Sequence, residues 1–381
     1  MALFDKILTP DFSINCGANQ DFHAETFIPD VRYLPDGAPA FKRKELLADV
    51  TVHSVFCGIM SATQWKVLLA AWLTAFSALG AVRPQFEVVP ITNLDRTNGY
   101  NGFPLRINNA GQVAYSRNVI ASVGRSFLWE EGNTVELGDG HVFAVNEAGT
   151  FIRGEDGSLV GGNEPTFSPY GANGLGQVVG DMNQMAALYS ISNGLVLFPT
   201  NGISASRAYE INSSGTAAGY ANVAEGQRAF LFTTNFAANI GALLGTNESF
   251  SIDVNDLGHA AVSARVQKRK KIGSQVFLYR DGEMQKVRPV RGTTDSFPRA
   301  LNNNDEIVGI AVNSAKPPAF ENQVAFLYSG RKLFKLSKLL TKSSKGWIIN
   351  VADDINDAGS IVALATRPGQ TNELVLLRRL Q

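Results

Sequence analysis

A short phrase recurs seven times along this chain, and it constrains the fold more than any other feature. An apolar residue, an Asn, two variable residues and a Gly (once Asp) precede a run of small and branched residues. The copies read Ile107-Asn108-Asn109-Ala110-Gly111, Val145-Asn146-Glu147-Ala148-Gly149, Ala172-Asn173-Gly174-Leu175-Gly176, Ile211-Asn212-Ser213-Ser214-Gly215, Val254-Asn255-Asp256-Leu257-Gly258, Leu301-Asn302-Asn303-Asn304-Asp305 and Ile355-Asn356-Asp357-Ala358-Gly359. Asn at the head of a turn bonds its side chain to the backbone two residues on, and Gly tolerates the left-handed conformation that ends the reversal. Seven copies of one supersecondary unit require a repeat architecture.

Each unit contains four strand signals. An apolar run closes at the residue before the Asn. A small-residue run follows, as in Gln177-Val178-Val179-Gly180 and Glu306-Ile307-Val308-Gly309. A bulkier run comes third, as in Ser126-Phe127-Leu128-Trp129, Ala229-Phe230-Leu231-Phe232 and Ala325-Phe326-Leu327-Tyr328, and a tight turn such as Asn193-Gly194 or Asp281-Gly282 leads to the fourth. Roughly 300 residues over seven units give about 43 residues each, the size of a four-stranded β-propeller blade. Apolar residues do not recur at helical spacing. The expectation is therefore an all-β chain, a β-propeller of about seven (alternatively six) four-stranded blades, preceded by an apolar signal-like helix. The small run is assigned to the crowded inner strand. Successive Asn positions lie 38, 27, 39, 43, 47 and 54 residues apart, so the short second unit is the candidate for a degenerate blade. Phe86 to Leu94 reads as a fourth strand without its own unit, and Glu373 to Leu377 as a third strand without a fourth. Pairing of the two would close the ring and remove two sheet edges.

The combination of Ile-Asn-x-x-Gly-Gln-Val-Val-Gly with Ala-Phe-Leu-Trp-like runs and Gly turns resembles the bacterial extracellular HAF repeat family over about Phe86 to Leu377. The sequence departs from that pattern in lacking His before its Ala-Phe-Leu runs. The resemblance implies an exported propeller-like domain and transfers no catalytic residue.

Upstream of the repeats, Met60 to Lys66 leads into an uncharged stretch from Val67 to Val82, with the proportions of a secretory signal peptide. Sixteen residues are few for a membrane-spanning helix. The division expected is an unassigned extension at 1–59 (or a start-site artefact), a signal peptide or anchor at 60–81, and the repeat domain at 82–381. Both cysteines, Cys16 and Cys57, precede the stretch, so the repeat domain has no thiol chemistry. A secreted or periplasmic monomer is the expectation, and the alternative is a chain anchored through residues 67–82 with its propeller outside.

Charge and motifs narrow the function without naming a ligand. Lys and Arg balance Asp and Glu at 34 each. The balance conceals 8 basic and 16 acidic residues over 82–260, against 20 basic and 10 acidic over 261–381. Lys268, Arg269, Lys270 and Lys271 form the densest cluster and the first candidate for a partner-binding loop, compatible with an anionic glycan or envelope polymer. No nucleic-acid-binding signature is present. Asp253 to Gly258 and Asp353 to Gly359 resemble calcium loops, but the alternation of ligands is broken, and they read as repeat turns. His141 and His259 come without Cys and without the paired spacing of a zinc site, either could in principle serve as a base, and no Gly-x-Ser-x-Gly elbow is present. No catalytic, cofactor or metal residue is assigned. The expected function is a non-catalytic binding or surface-interaction module. Its rival is a polysaccharide hydrolase or lyase, which two carboxylates converging at a channel mouth would favour.

Overall fold

The apolar run before each Asn forms the innermost strand of a sheet, and the chain then steps outward strand by strand. In the computed structural model described here, residues 83–381 are described apart from 94–103, 121–122, 147–148, 155–158, 160–166, 200, 269–270, 317–319, 369–371 and 381. The extension at 1–59 and the signal-like segment at 60–81 lie outside the described residues.

Blade III shows the pattern. Ala205–Ile211, Ala217–Val223, Gly226–Phe232 and Ala237–Asn239 lie side by side in chain order, all antiparallel. Blades I, II, IV and V repeat it from inner strands Arg106–Ile107, Phe167–Ala172, Ser249–Val254 and Asp295–Leu301. Blade VI takes Ile348–Ile355, Ile361–Thr366 and Glu373–Leu380 from the end of the repeats, and its outer strand, Gln85–Asn93, from their beginning. The closure expected from the two unmatched strands is thus formed, with Gln85 opposite Leu380 and Asn93 opposite Glu373.

Two expectations need correction. The ring is the six-bladed alternative, with four-stranded blades, and not the preferred seven: among the described residues the second unit, the candidate degenerate blade, contributes a two-stranded sheet, His141–Asn146 with Gly149–Arg153. That unit lacks the bulky third run whose side chains wedge between blades elsewhere. The small-residue run is also the second strand rather than the innermost. Its smallness has a local cause. Inner strands carry a bulge just before the turn, as between Pro169 and Gly171, Ala208 and Glu210, and Pro298 and Ala300. The bulge drives a carbonyl against the second strand. A Cβ on Gly180 or Gly219 would stand 1.9 Å from the carbonyl oxygen of Ser168 or Arg207.

The core lies between blades. The bulky third strands supply it: Phe230 and Phe232 pack with Val179, Ala186 and Leu188 of the preceding blade, and Phe326 and Tyr328 with Val276 and Leu278. Burying one such ring contributes on the order of 2–3 kcal/mol. Short 3-10 turns at Ile240–Leu244, Phe320–Asn322 and Leu336–Lys338 cover the joints between blades.

Because every inner strand runs the same way, all seven Asn turns gather at one end of the ring. The hairpins joining second to third strands lie at the other end.

Candidate functional site

The Asn turns surround one mouth of the central channel, where a cavity of about 220 Å³ is lined by residues from all seven units. In five of the units the Asn side chain does two jobs. Its Oδ1 accepts main-chain N–H groups inside its own turn: from Ser214 and Thr216 at Asn212, from Leu257 and His259 at Asn255, from Asn304 and Glu306 at Asn302. Its Nδ2 donates to a carbonyl of the next unit. Asn173 reaches Asn212 (2.9 Å), Asn212 reaches Asn255 (2.8 Å), Asn255 reaches Asn302 (3.1 Å), Asn302 reaches Asn356 (3.0 Å) and Asn356 reaches Asn108 (3.0 Å). Asn146 reaches Ala172 (2.8 Å), whereas Asn108 gives its amide to Gln112 Oε1 (2.8 Å). Only Asn supplies both an acceptor and a donor at this reach. The turns close as expected at Gly111, Gly176, Gly215, Gly258 and Gly359, with φ between +72° and +85°, and at Asp305 with φ +59°. Gly149 in the two-stranded unit sits at φ +133°.

The residue two before the Asn ends the strand bulge in six of the seven units. In four units that residue is charged: Arg106, Glu210, Asp253 and Asp354, all lining the cavity. Asp253 accepts from its own Val254 N (2.7 Å) and from Leu301 N of the next blade (2.7 Å). Asp354 likewise accepts from Ile355 N (2.8 Å) and Ile107 N (3.0 Å). These two carboxylates stitch neighbouring blades together. Glu210 is held less tightly, with Ile211 N at 3.4 Å and the Arg106 guanidinium at 3.8 Å. Arg106 donates its Nε to Phe143 O (2.8 Å).

Burial dominates the electrostatics. It pushes Glu210 up to about 8, Asp253 to about 7 and Asp354 to about 6, while Arg106 and main-chain N–H donors pull the other way. Burial works against the charge on Arg106 as well, but Glu210, Asp354 and Asp253 outweigh it and raise its pKa. The mouth therefore holds carboxyl protons near neutral pH beside a fixed positive charge.

The sequence-selected residues fall into three groups. The Asn and Gly (or Asp305) positions converge on the mouth as an architectural ring. The basic cluster ends the longest hairpin: Lys268 pairs with Lys271 at its tip, and Arg269 and Lys270 lie outside the described residues. That hairpin reverses two residues later on each side than its counterpart in blade III, where Val223 pairs with Gly226, so it projects ~7 Å further. The calcium-like carboxylates serve the backbone or neighbouring turns: Asp256 accepts from Ser213 N (2.9 Å), and Asp357 from Asn303 N (2.9 Å). His259 sits 2.7 Å from Asp305 through Nδ1, and the His141 ring lies where Gly124 leaves room. Burial opposes ionisation of Asp305, but His259 and Asn255 bonding brings its pKa below the ordinary carboxylate range. Among the described residues, no three His, Cys, Asp or Glu side chains are grouped as metal ligands.

Sequence reasoning missed Arg106 and Glu210. Their signal was a shared place in the unit, two residues before the Asn, which only the ring brings to one point.

A family described as "Protein of unknown function (DUF3466)" matches residues 199–370. No curated protein matches the chain. Among solved structures, TolB from Acinetobacter baumannii is similar at 10% identity and a TM-score of 0.37, over 71% of this chain and 64% of that one. This chain thus spans less than two thirds of that protein's length. XC5397 from Xanthomonas campestris, a gluconolactonase, gives 10% identity and a TM-score of 0.37 over 78% of this chain and 99% of that one. Likenesses this weak carry no functional argument.

Proposed function

We propose that this chain is an exported binding module that meets an anionic glycan or envelope polymer with the end of its propeller that bears the strand-two to strand-three hairpins. One observation carries the reading: the two ends are built differently. At the Asn end the turns keep one length and hold one another in place. At the opposite end the hairpins range from the tight Met182–Met185 reversal to the long Val312–Val324 connection. Invariant turns spend their polar groups on each other, and loops of varied length on a rigid ring are where recognition is built. The basic hairpin ending at Lys268 and Lys271 is the most prominent of them.

Binding of polygalacturonate, measured by calorimetry at two salt concentrations, tests this. Wild type binds more weakly as salt rises, and Lys268→Glu with Lys270→Glu lowers affinity at least tenfold without changing the melting temperature. Unchanged binding by the double variant sinks the reading.

The rival, a polysaccharide hydrolase or lyase, draws support from Glu210. Its carboxyl holds a proton near neutral pH and lacks the paired main-chain donors that occupy Asp253 and Asp354. A general acid needs that property, and a partner carboxylate free to act as base or nucleophile is what Asp253 and Asp354 do not offer. Release of reducing ends or unsaturated products from acidic polysaccharide by wild type, abolished in Glu210→Gln, would establish the rival.

A further inference from the structure

The inner two strands of blades II to IV carry a set of side chains that the repeat does not require. Tyr170, Tyr209, Tyr220 and Phe250 form a row of half-buried rings across three blades, with centroids 6.0, 5.9 and 6.4 Å apart in sequence. Two guanidinium groups stand over Tyr170: Arg207 at 4.8 Å and Arg153 at 5.9 Å from its centroid. Arg207 also donates its Nε to Asp181 (2.7 Å).

The row bridges adjacent blades, but its tyrosines are not part of the repeat. At the bulge position of Tyr170 and Tyr209, blades IV, V and VI carry Ile252, Arg299 and Asp353, and at the inner-strand position of Arg207 they carry Phe250, Phe297 and Val351. Among these blades tyrosine at the bulge position is thus confined to II and III, and arginine at the inner-strand position to III. The row therefore lies to one side of the ring. Tyr209 immediately precedes Glu210 on a strand running toward the Asn turns, so the row lies nearer the hairpin-bearing end than the carboxylates do.

Its chemistry is selective. Flat half-exposed rings offer stacking faces to the C–H face of a sugar ring. Tyrosine hydroxyls and Asp181 offer hydrogen bonds to hydroxyl groups. Two arginines against one aspartate leave the wall net positive, and a guanidinium takes a carboxylate in a two-point fork. We infer that the aromatic wall of blades II to IV, with Arg207 and with Arg153 of the adjoining two-stranded unit, is a binding site for an acidic sugar unit, the pyranose ring stacked on Tyr170 or Tyr209 and its carboxylate held by Arg153 and Arg207. This rests on the binding-module reading and deepens it: the basic hairpin gathers the polymer and the wall reads one sugar of it.

The test uses tetragalacturonate, its neutral methyl ester, and long polygalacturonate, each titrated calorimetrically into the full chain. Wild type is expected to bind the acidic tetramer at least tenfold more tightly than the neutral one. Tyr170→Ala weakens both tetramers at least tenfold. Arg153→Gln removes the preference for the acidic one. Lys268→Glu with Lys270→Glu leaves tetramer binding within twofold and weakens only the polymer. Arg207→Gln also removes the Asp181 contact and is therefore not the deciding variant; Arg153→Gln decides, with an unchanged melting temperature as its control. Tetramer binding that survives both Tyr170→Ala and Arg153→Gln overturns the inference. If the polymer still binds through the hairpin in that case, the module reading stands alone. If neither tetramer nor polymer binds wild type, both fall.

Discussion

The two ends of this ring follow opposite rules. At the Asn end, polar side chains are paired with a neighbouring unit: Asn to carbonyl, Asp253 and Asp354 to main-chain N–H of the next, Asp256 to Ser213 and Asp357 to Asn303 of the preceding one. Lengthening one turn would misplace two neighbours. At the hairpin end the bonds to the next blade are individual ones, such as Ser206 N to Gln184 O (2.8 Å) and Asn350 Nδ2 to Phe320 O (3.3 Å), and the reversals differ in length. The difference teaches where this architecture stores stability and where it can vary. A loop closed on itself costs only slightly more as it lengthens, whereas a turn that also serves its neighbour tolerates no insertion.

Four measurements would break or sharpen that contrast. The largest effect is expected for Arg106→Met, which leaves Glu210, Asp253 and Asp354 without their shared cation. Urea unfolding at pH 8 should show a loss of about 3–5 kcal/mol, and a smaller loss at pH 5, where the carboxyls are protonated. Equal losses at both pH values would mean that Arg106 acts through packing alone. Next comes Asn255→Ala, which removes two acceptor and two donor contacts. A loss of about 2–3 kcal/mol is expected, and Asn255→Asp should recover only the acceptor half. A third measurement concerns pH. Glu210, with a folded-state pKa of about 8 against an ordinary 4.5, favours the folded chain below pH 4.5, and that contribution fades as pH rises through 8. Glu210→Gln should therefore match wild type at pH 5, melt higher at pH 8.5, and flatten the decline between them. A variant that melts lower at pH 8.5 would falsify the assignment of Glu210 as a protonated, weakly paired group. The smallest effect belongs to the other end: Lys268→Glu with Lys270→Glu should change unfolding free energy by less than about 0.5 kcal/mol.

Much of this was legible in the residues. Asn-x-x-Gly encodes a turn through its own side chain, so all seven turns could be read locally, including Asp305 in a glycine's place. Ring closure was legible because Phe86 to Leu94 and Glu373 to Leu377 each lacked a partner. The radial order of strands was not. Smallness in Val178-Val179-Gly180 reflects a carbonyl pushed out by the bulge at Pro169 and Gly171, which no pattern of apolarity announces. The 27-residue spacing before Asn173 flagged the second unit but could not say which strands it kept. The charged mouth was hidden for another reason. Arg106 and Asp354 lie 248 residues apart, and their meeting depends on the curvature of the whole ring.

Closure through Gln85–Asn93 also sets a timetable for the nascent chain. This strand pairs within its sheet only with Glu373–Leu380, so blade VI stays open until the last of the repeats has been synthesised. Until then Phe86 and Val88, both buried in the finished ring, lack the cover of Val375 and Leu377. Earlier blades can assemble in order behind the ribosome, but the molecule becomes a ring in a single late event, and a chain released a few residues early would keep every blade but one and still not be closed.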